Sequence, residues 1–250
     1  MAGYARRGVH GQTVETIAHR VLSGRIGEGA TLDLGALQDE LGVSLTALRE
    51  SLKVLAAKGM VDARQKRGTF IRPRADWHLL DADVLRWQFE SLDGGVAAGA
   101  GNPLLGDLDE VRGIVEPAAV RLAACRRTRD DLDALDAALA AMGEEVEGGA
   151  ARAVEADLAF HGALLRASHN ELLERMDLVI AAGLAHRDRL VHGSGRHPKD
   201  PVPSHRAVLD AVRAGDADAA EVAMRTLLEQ AARDLDRITS SGPPSSPAGD

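Results

Sequence analysis

The order of apolar and polar residues predicts two short helices and a β-hairpin near the start of the chain. Apolar residues recur with a helical period over 32–41 and 44–55, and a tight turn at Gly42 joins the two segments. Two short extended runs, 60–64 and 69–72, then enclose a basic turn, as in a hairpin. Paired helices with such a turn, followed by a hairpin, are typical of a winged helix-turn-helix, whose second helix lies in the DNA major groove.

The longer second half of the chain has helical periodicity only. Its predicted helices are about 103–126, 129–147, 150–168, 170–192, 201–214 and 216–239. The predicted fold class is therefore mainly α, with an N-terminal winged helix-turn-helix and a C-terminal all-α helical bundle. We divide the chain into a winged-helix DNA-binding domain (1–75), a linker with a docking helix (76–101), an all-helical domain (102–239) and a disordered tail (240–250).

The composition supports a helical protein with buried cores. Apolar residues make up 45% of the 250 residues, but there are only two Trp, one Tyr and three Phe. We therefore expect cores of packed helices rich in Ala and Leu. The single cysteine, Cys125, allows neither an intrachain disulfide nor a cysteine-based zinc site. Because the sequence shows no signal-peptide pattern and no bilayer-spanning apolar run, we expect a cytoplasmic protein without a membrane partner.

The two parts of the chain differ in the sign of their net charge. Residues 1–75 contain 12 Lys and Arg against 7 Asp and Glu, a net charge of +5. The remainder has a net charge of −13, which gives −8 for the whole chain. A polyanion attracts the first part and repels the second. The asymmetry favours a DNA-reading module attached to a domain with another task, although chance could also produce it.

Several motifs resemble those of a known family. They are Leu41-Gly42-Val43-Ser44, Leu48-Arg49-Glu50-Ser51-Leu52, Gly59, Gly68-Thr69-Phe70, Glu110-x-Arg112-x-x-x-Glu116 and Asp157-x-x-x-His161. With them the chain resembles the GntR family of bacterial transcription regulators and, over about residues 12–239, its FadR-like branch, which carries an all-helical FCD-type effector domain. The linker between Trp77 and Trp87 looks most like that of the sugar-acid (galactonate-operon) repressors.

The resemblance implies a homodimeric, ligand-responsive regulator of a sugar-acid or small-organic-acid operon. Two winged helices would read an inverted repeat in operator DNA, and an effector in the helical domain would change the DNA affinity. Repression is the expected sense of regulation. Activation, the identity of the acid, the operator sequence and the dimer interface stay open at this point.

The expected DNA-binding residues lie on the second helix of the motif and on the hairpin turn. They are Ser44, Thr46, Arg49, Lys66, Arg67 and Gly68. By resemblance, Arg49 reaches a guanine edge or a phosphate, Thr46 contacts phosphate, and Ser44 caps the helix. The three residues of the hairpin turn would bring the wing to the adjacent backbone or minor groove.

Two positions depart from the family's DNA-reading pattern. Leu45 stands where the family often has an arginine, and Gly35 replaces a common arginine of the preceding helix. We therefore expect an operator sequence that differs from the usual one. Arg49 also has an alternative role, as a solvated helix charge paired with Asp39 or with a neighbour of Lys53.

A possible metal site is indicated in the helical half. Asp157 and His161 are four residues apart, so both project from one helix face, about 6 Å apart at Cβ, although such a pair usually lies on the surface. The resemblance adds His205, which follows His161 by 44 residues, as the next ligand does in metal-binding members of the branch. The family's last histidine falls at Leu227, so at most three family ligands remain. We expect an open site for a divalent metal, with zinc favoured. Alternatively, the same three side chains hydrogen-bond a sugar acid directly.

The expected effector site includes the possible metal ligands. Its residues are Arg112, Asp157, His161, Asn170 and His205. Arg112 could clamp a carboxylate in bidentate fashion, but a buried ion pair with Glu116 on the same helix face is an equal alternative. Asn170 lies in a loop that the family places near the cavity, and it is also the expected cap of the next helix.

A helical metal-dependent enzyme is the competing function. In it, Asp157, His161 and His205 would activate water. The sequence contains no HExxH, no GxSxG, no phosphate-binding glycine loop and no evident general base beyond the cluster. We therefore favour the regulator and expect no catalytic residues.

Overall fold

The computed structural model of the protein describes residues 8–91, 103–143, 149–193 and 200–240. Contacts between Cα atoms divide the chain into two units, Met1–Gly95 and Val96–Asp250. The division falls within the predicted linker, 76–101. Among the described residues, none of the helices has the length and apolarity that crossing a membrane requires.

The N-terminal unit contains a winged fold followed by a further helix. Its elements are α1 (Val9–Leu22), α2 (Leu34–Leu41), α3 (Leu45–Ala57), β1 (Val61–Arg64), β2 (Gly68–Ile71), a 3₁₀ turn (Arg74–Asp76) and α4 (Ala82–Glu90). The two strands pair antiparallel, with Val61 opposite Ile71 and Arg64 opposite Gly68. The predicted winged helix-turn-helix is therefore confirmed.

Local hydrogen bonds set the helix starts on both sides of the turn between α2 and α3. Asp33 Oδ1 accepts a hydrogen bond from the backbone N–H of Ala36 at 3.0 Å. Ser44 Oγ accepts one from Ala47 at 3.2 Å. Each bond satisfies a donor that the start of a helix leaves open. Between them Gly42 adopts φ +63°, a left-handed conformation that ends α2. Cap and turn chemistry therefore place the start of α3.

The core of the N-terminal unit includes the linker helix α4. Val14 and Ile17 of α1 are fully buried, and they belong to the same apolar cluster as Trp77, Val84 and Trp87. Because α4 contributes two of these side chains, the segment after the wing packs against the winged helix and is not a free tether.

A buried ammonium ties the end of α3 to the start of α4. Lys58 Nζ lies 2.6 Å from Asp81 Oδ1 and 2.8 Å from Asp83 Oδ2. Asp81 also accepts hydrogen bonds from the backbone N–H groups of Asp83 and Val84. Burial alone would raise the pKa of Asp81, but Lys58 and these backbone groups hold it below its usual value. The ion pairs therefore anchor the linker helix.

We expect Lys58→Met to lower the free energy of unfolding of the N-terminal unit by about 1.5–3 kcal/mol, because it removes a charged hydrogen bond from the buried Asp83 carboxylate, which keeps the longer ion pair with Arg86 at 3.6 Å. The measurement is urea unfolding followed by tryptophan fluorescence. This signal reports on the N-terminal unit because both tryptophans, Trp77 and Trp87, lie in it.

Lys53→Met is the matched control, because the Lys53 ammonium forms an exposed ion pair with Glu50 at 2.7 Å. Exposed pairs contribute about 0–1 kcal/mol, so this variant should unfold almost as the wild type does. If the two variants lose the same amount of stability, the buried ammonium is not the anchor.

All the regular secondary structure among the described residues of the C-terminal unit is helical. Its helices are α5 (Pro103–Arg126), α6 (Arg129–Gly143), α7 (Gly149–Ala167), α8 (Glu171–Arg175), α9 (Asp177–Gly193), α10 (Val202–Ala214) and α11 (Ala217–Ser240). The main apolar cluster joins five of them and includes Val120, Leu135, Phe160, Val208 and Met224. The predicted all-α fold class is confirmed.

One predicted helix, 170–192, is in fact two helices. α8 ends at Arg175 and α9 begins at Asp177. Between them the N–H of Met176 bonds to the carbonyl of Leu173, a tight turn that interrupts the α-helical ladder. The apolar period continues across this break, so the sequence pattern gave no sign of it.

Some predicted boundaries fall on parts of the chain that the structure does not describe. The end of the predicted helix 129–147 is one, since α6 ends at Gly143 and 144–148 lie outside the described residues. The predicted tail, 240–250, also lies outside them, apart from Ser240, which ends α11.

Candidate functional site

The first turns of α3 expose an apolar and a basic side chain together. Leu45 and Arg49 are one turn apart, so they share a helix face; Leu45 is 36% exposed, and both Arg49 and Thr46 are exposed. Arg49 forms no ion pair with any residue that the structure describes, whereas its neighbour Glu50 pairs with Lys53. The alternative role of Arg49 in a helix-surface ion pair is therefore not supported.

The wing turn is basic and contains two residues in left-handed backbone conformations. Lys66 has φ +70° and Gly68 has φ +80°, and the Lys66 side chain is exposed. The Arg67 guanidinium lies 3.6 Å from the centre of the Phe70 ring and donates a hydrogen bond to the carbonyl of Gly29 at 3.0 Å. These contacts fix the position of a positive charge at the wing turn.

Three side chains from α7 and α10 meet inside the helical unit. Asp157 and His161 come from successive turns of α7 and His205 from α10, and one ligand atom from each lies within 4.8 Å of the others. Oδ1 of Asp157 is 3.0 Å from Nε2 of His205 and 3.8 Å from Nε2 of His161. Both histidines are buried, with 2% and 4% of their surface exposed. This burial excludes the alternative of an exposed surface pair.

The contact between Asp157 and His205 fits a shared cation. Nδ1 of His205 donates a hydrogen bond to the carbonyl of Pro201 at 2.8 Å, which leaves a lone pair on Nε2 of the neutral ring. That Nε2 lies 3.0 Å from Oδ1 of Asp157, a separation that a hydrogen bond from a protonated ring and a cation shared with a neutral ring both fit. Tetrahedral zinc, with bonds of about 2.0–2.1 Å, separates its ligand atoms by about 3.4 Å. This value lies between the 3.0 and 3.8 Å spacings of the cluster.

An ion pair on α5 completes the surroundings of His161. Glu116 Oε1 lies 2.6 Å from Nε of Arg112, and its Oε2 lies 2.5 Å from Nδ1 of His161. Glu116 therefore orients the ring with Nε2 towards Asp157, as carboxylates commonly do for metal-binding histidines. Nη2 of Arg112 lies 3.3 Å from the same Nε2. A guanidinium N–H and a cation would thus compete for one lone pair.

The charges around the cluster keep both buried carboxyl groups ionised. Burial alone would raise the pKa of Glu116, but Arg112 and His161 lower it to about 2. Burial acts in the same way on Asp157, and His161, His205 and Arg112 hold its pKa well below its usual range. Both carboxyl groups are therefore carboxylates, and Asp157 can serve as an anionic ligand.

A cavity lies between α5 and α11, next to Arg112. Its volume is about 240 Å³. Its lining includes Asp109, Arg112 and Gly113 from α5 and Arg225, Leu228 and Glu229 from α11. Arg112 connects the cavity with the cluster, because the same guanidinium lines the cavity and contacts His161.

Comparisons with known proteins cover both halves of the chain. Residues 10–71 match the model of bacterial regulatory proteins of the gntR family, and residues 107–230 match the FCD domain. The galactonate operon transcriptional repressor of Escherichia coli (strain K12) is 33% identical over 230 residues, which are 90% of this chain and 96% of that protein. The chain belongs to the GntR family.

A second relative agrees with this assignment, and a solved structure agrees with the fold. A probable D-xylose utilization operon transcriptional repressor of Paenarthrobacter nicotinovorans is 31% identical over 221 residues, covering 88% of this chain and 85% of that protein. The solved structure of Lar, which controls expression of the Listeria monocytogenes agr system, has the same fold, with a TM-score of 0.62 at 16% identity over 94% of this chain and 99% of that one. The GntR-family protein is therefore a ligand-responsive DNA-binding transcription regulator, and the hypothesis of a metal-dependent enzyme is rejected.

The fourth family ligand position is apolar in this GntR-family regulator. Leu227 on α11 is 4% exposed and belongs to the main apolar cluster with Phe160 and Val208. A cation at the centre would therefore have three protein ligands, and water or an effector would complete its coordination.

Asn170 caps a helix and does not join the cluster of the other predicted effector residues. Its Oδ1 accepts hydrogen bonds from the N–H groups of Leu172 and Leu173 at 3.1 and 3.3 Å, and so caps α8. None of its described hydrogen bonds runs to Arg112 or to the three-residue cluster. The structure thus brings together four of the five predicted effector residues, and an effector contact of Asn170 stays a prediction.

Proposed function

We propose that this GntR-family regulator is a homodimeric repressor of an operon for a sugar acid or a related small organic acid, and that the acid releases it from operator DNA. The observation that carries this proposal is the buried cluster of Asp157, His161 and His205 beside Arg112. A divalent cation and a guanidinium are both groups that bind carboxylates. The galactonate operon named for one relative supports a sugar acid, and the D-xylose operon named for another supports a carbohydrate-derived effector.

The DNA contact surface in this proposal comprises the start of α3 and the wing. It consists of Ser44, Thr46, Arg49, Lys66, Arg67 and Gly68. Exposure of the α3 side chains and the fixed positive charge of the wing support it. In a two-fold dimer, the two α3 helices would enter successive major grooves of an inverted repeat.

Leu45 is expected to read the methyl group of a thymine, because it is an exposed apolar side chain on the same helix face as Arg49. Replacing that thymine with deoxyuridine removes one methyl and should weaken operator binding about fourfold per half-site, since burying one methyl is worth about 0.8 kcal/mol. Uracil-interference footprinting measures this effect at every thymine. Leu45→Ala should erase the signal, and an identical footprint for wild type and variant would remove Leu45 from the reading surface.

The proposed metal is a divalent ion, with zinc favoured, held by Oδ1 of Asp157 and by Nε2 of His161 and of His205. When bound, such an ion supplies a Lewis-acidic centre to which the carboxylate of an acid can coordinate. Glu116 holds the His161 ring in place, and Arg112 offers a guanidinium to the carboxylate. The convergence of one ligand atom from each of Asp157, His161 and His205 supports the ion. Without it, the same side chains would hydrogen-bond the acid directly.

A gel-shift titration tests the proposal. Purified protein is bound to the DNA upstream of its own gene, and the complex is challenged with a panel of sugar acids and smaller acids, with and without a chelator. Specific retention that one acid relieves, with two chains per operator, is the expected result. Loss of that relief in chelator would place the metal in the effector site, whereas unchanged relief would favour direct binding of the acid. Retention that no acid relieves contradicts the proposal.

A further inference from the structure

We propose that the cavity between α5 and α11 binds the hydroxylated chain of the acid effector, with Asp109 accepting hydrogen bonds from its hydroxyl groups and Arg112 facing its carboxylate. This inference rests on the proposed function and specifies its ligand. The effector is then a polyhydroxylated carboxylic acid, and a short acid such as lactate is a poor substitute.

Three neighbouring residues of α5 form one wall of the cavity. Asp109, Arg112 and Gly113 lie within one helical turn, so a carboxylate and a guanidinium border the same space. Arg112 binds Glu116 through Nε, whereas its Nη1 makes no hydrogen bond to any residue in the described part of the chain. The guanidinium can therefore keep its ion pair and still bind a carboxylate.

Asp109 is the polar group whose hydrogen bonding the protein leaves incomplete. It is partly buried, and within the described ranges it forms neither a hydrogen bond nor an ion pair. Burial raises the pKa of its carboxyl, although Arg112 and Arg187 oppose this effect. A partly buried carboxylate without a donor is unfavourable unless water or a ligand supplies one. The hydroxyl groups of a sugar acid are donors of this kind.

The size and charge of the cavity restrict the ligand further. Its volume of about 240 Å³ is below the roughly 300–1,000 Å³ of pockets for drug-sized ligands. Two carboxylates, of Asp109 and Glu229, and two guanidinium groups, of Arg112 and Arg225, border it. Leu228 and Ala232 add apolar surface to the lining, so the charged groups on both helices, rather than an absence of apolar walls, favour a small polar acid that needs donors and acceptors.

Gly113 leaves this space open. A Cβ atom at Gly113 would meet no other atom within 4 Å, and the residue lines the cavity. Glycine in a helix interior is less favourable than alanine by about 1 kcal/mol. A larger side chain at this position would therefore fill the cavity without disturbing the helix.

Calorimetric titration of the full-length protein with five- and six-carbon aldonic acids, and with L-lactate, tests the inference. The wild type should bind an aldonic acid at least about tenfold more tightly than L-lactate. Gly113→Leu should lower the aldonate affinity on the order of 100-fold by occupying the ligand's volume. Asp109→Leu should lower it about tenfold or more by removing the acceptor, and should reduce the selectivity over L-lactate.

Gly106→Leu is the matched control. Gly106 is an exposed glycine of the same helix whose added Cβ would also meet nothing within 4 Å, but it does not line the cavity. This variant should bind the aldonic acid, the operator and zinc as the wild type does, and the far-UV circular dichroism of Gly113→Leu should match that of the wild type. Wild-type aldonate binding by Gly113→Leu overturns the inference, as does a wild type that binds no aldonic acid. Operator release by L-lactate alone would also overturn it, but would leave the proposed function standing.

Discussion

Replacing Arg49 with alanine will remove sequence-specific operator binding and leave weak, salt-sensitive DNA binding. Arg49 is exposed on α3, shares a face with Leu45 and has no ion-pair partner among the described residues. A bidentate guanine contact is worth about 1–3 kcal/mol, and a two-fold dimer makes it twice, so specific affinity should fall by about 30-fold to 10⁴-fold. Fluorescence anisotropy with operator and scrambled DNA at one salt concentration measures the loss.

Arg20→Ala is the control for the lost charge. Arg20 lies on α1, and its guanidinium pairs with Glu40 at 2.7 Å. Removing it takes the same positive charge from the N-terminal unit, so binding to both DNAs should weaken slightly and equally. If Arg49→Ala behaves like this control, or binds operator as the wild type does, Arg49 is not a base-reading residue.

Replacing His161 with alanine tests the proposed metal and effector site, and should remove both zinc binding and the response to the acid. His161 supplies one of three candidate ligands, and its ring also links Glu116 and Arg112 to the cluster. Changing a partner that only orients a ligand typically lowers metal affinity 10–100-fold, so losing the ligand itself should cost more than about 100-fold. Zinc affinity is measured by competition with a chromophoric chelator, and acid affinity by calorimetry.

Two further variants separate this effect from misfolding. His205→Ala removes a ligand but leaves the contacts among Arg112, Glu116 and His161 in place, and should lose zinc equally. His169→Ala removes an exposed histidine that contacts Asp131, and should change neither affinity. Undiminished acid binding by both His161→Ala and His205→Ala would place the effector site elsewhere. Loss of zinc with unchanged acid affinity would show that the metal is not part of the effector site.

The winged helix could be predicted from sequence because its decisive signals are local. Gly42 and Ser44 lie next to the elements that they end and begin, and the caps at Asp33 and Ser44 form within three residues. The break at Met176 could not be predicted, because no such local signal marks it. It is made by one tight turn inside an uninterrupted apolar period, so no capping residue marks it.

The helical centre was only partly predictable. Spacing placed Asp157 and His161 on one face, but His205 entered through a family resemblance, since periodicity does not say which helices face each other. For the same reason the sequence placed Glu116 beside Arg112 and missed its contact with His161. The sequence also did not identify Asp109, because the spacing of a carboxylate one turn before an arginine does not show that the carboxylate lines a cavity.

The central claim is that acid bound in the helical domain controls DNA binding, and a reciprocal titration tests it most directly. Acid affinity is measured with and without saturating operator, and operator affinity with and without saturating acid. Thermodynamic linkage requires that operator changes the acid affinity by the same factor by which acid changes the operator affinity. Such allosteric factors are typically about 5–150-fold. We predict equal factors in this range for the wild type and no coupling for His161→Ala. An acid that binds with high affinity but leaves operator affinity unchanged would contradict the account.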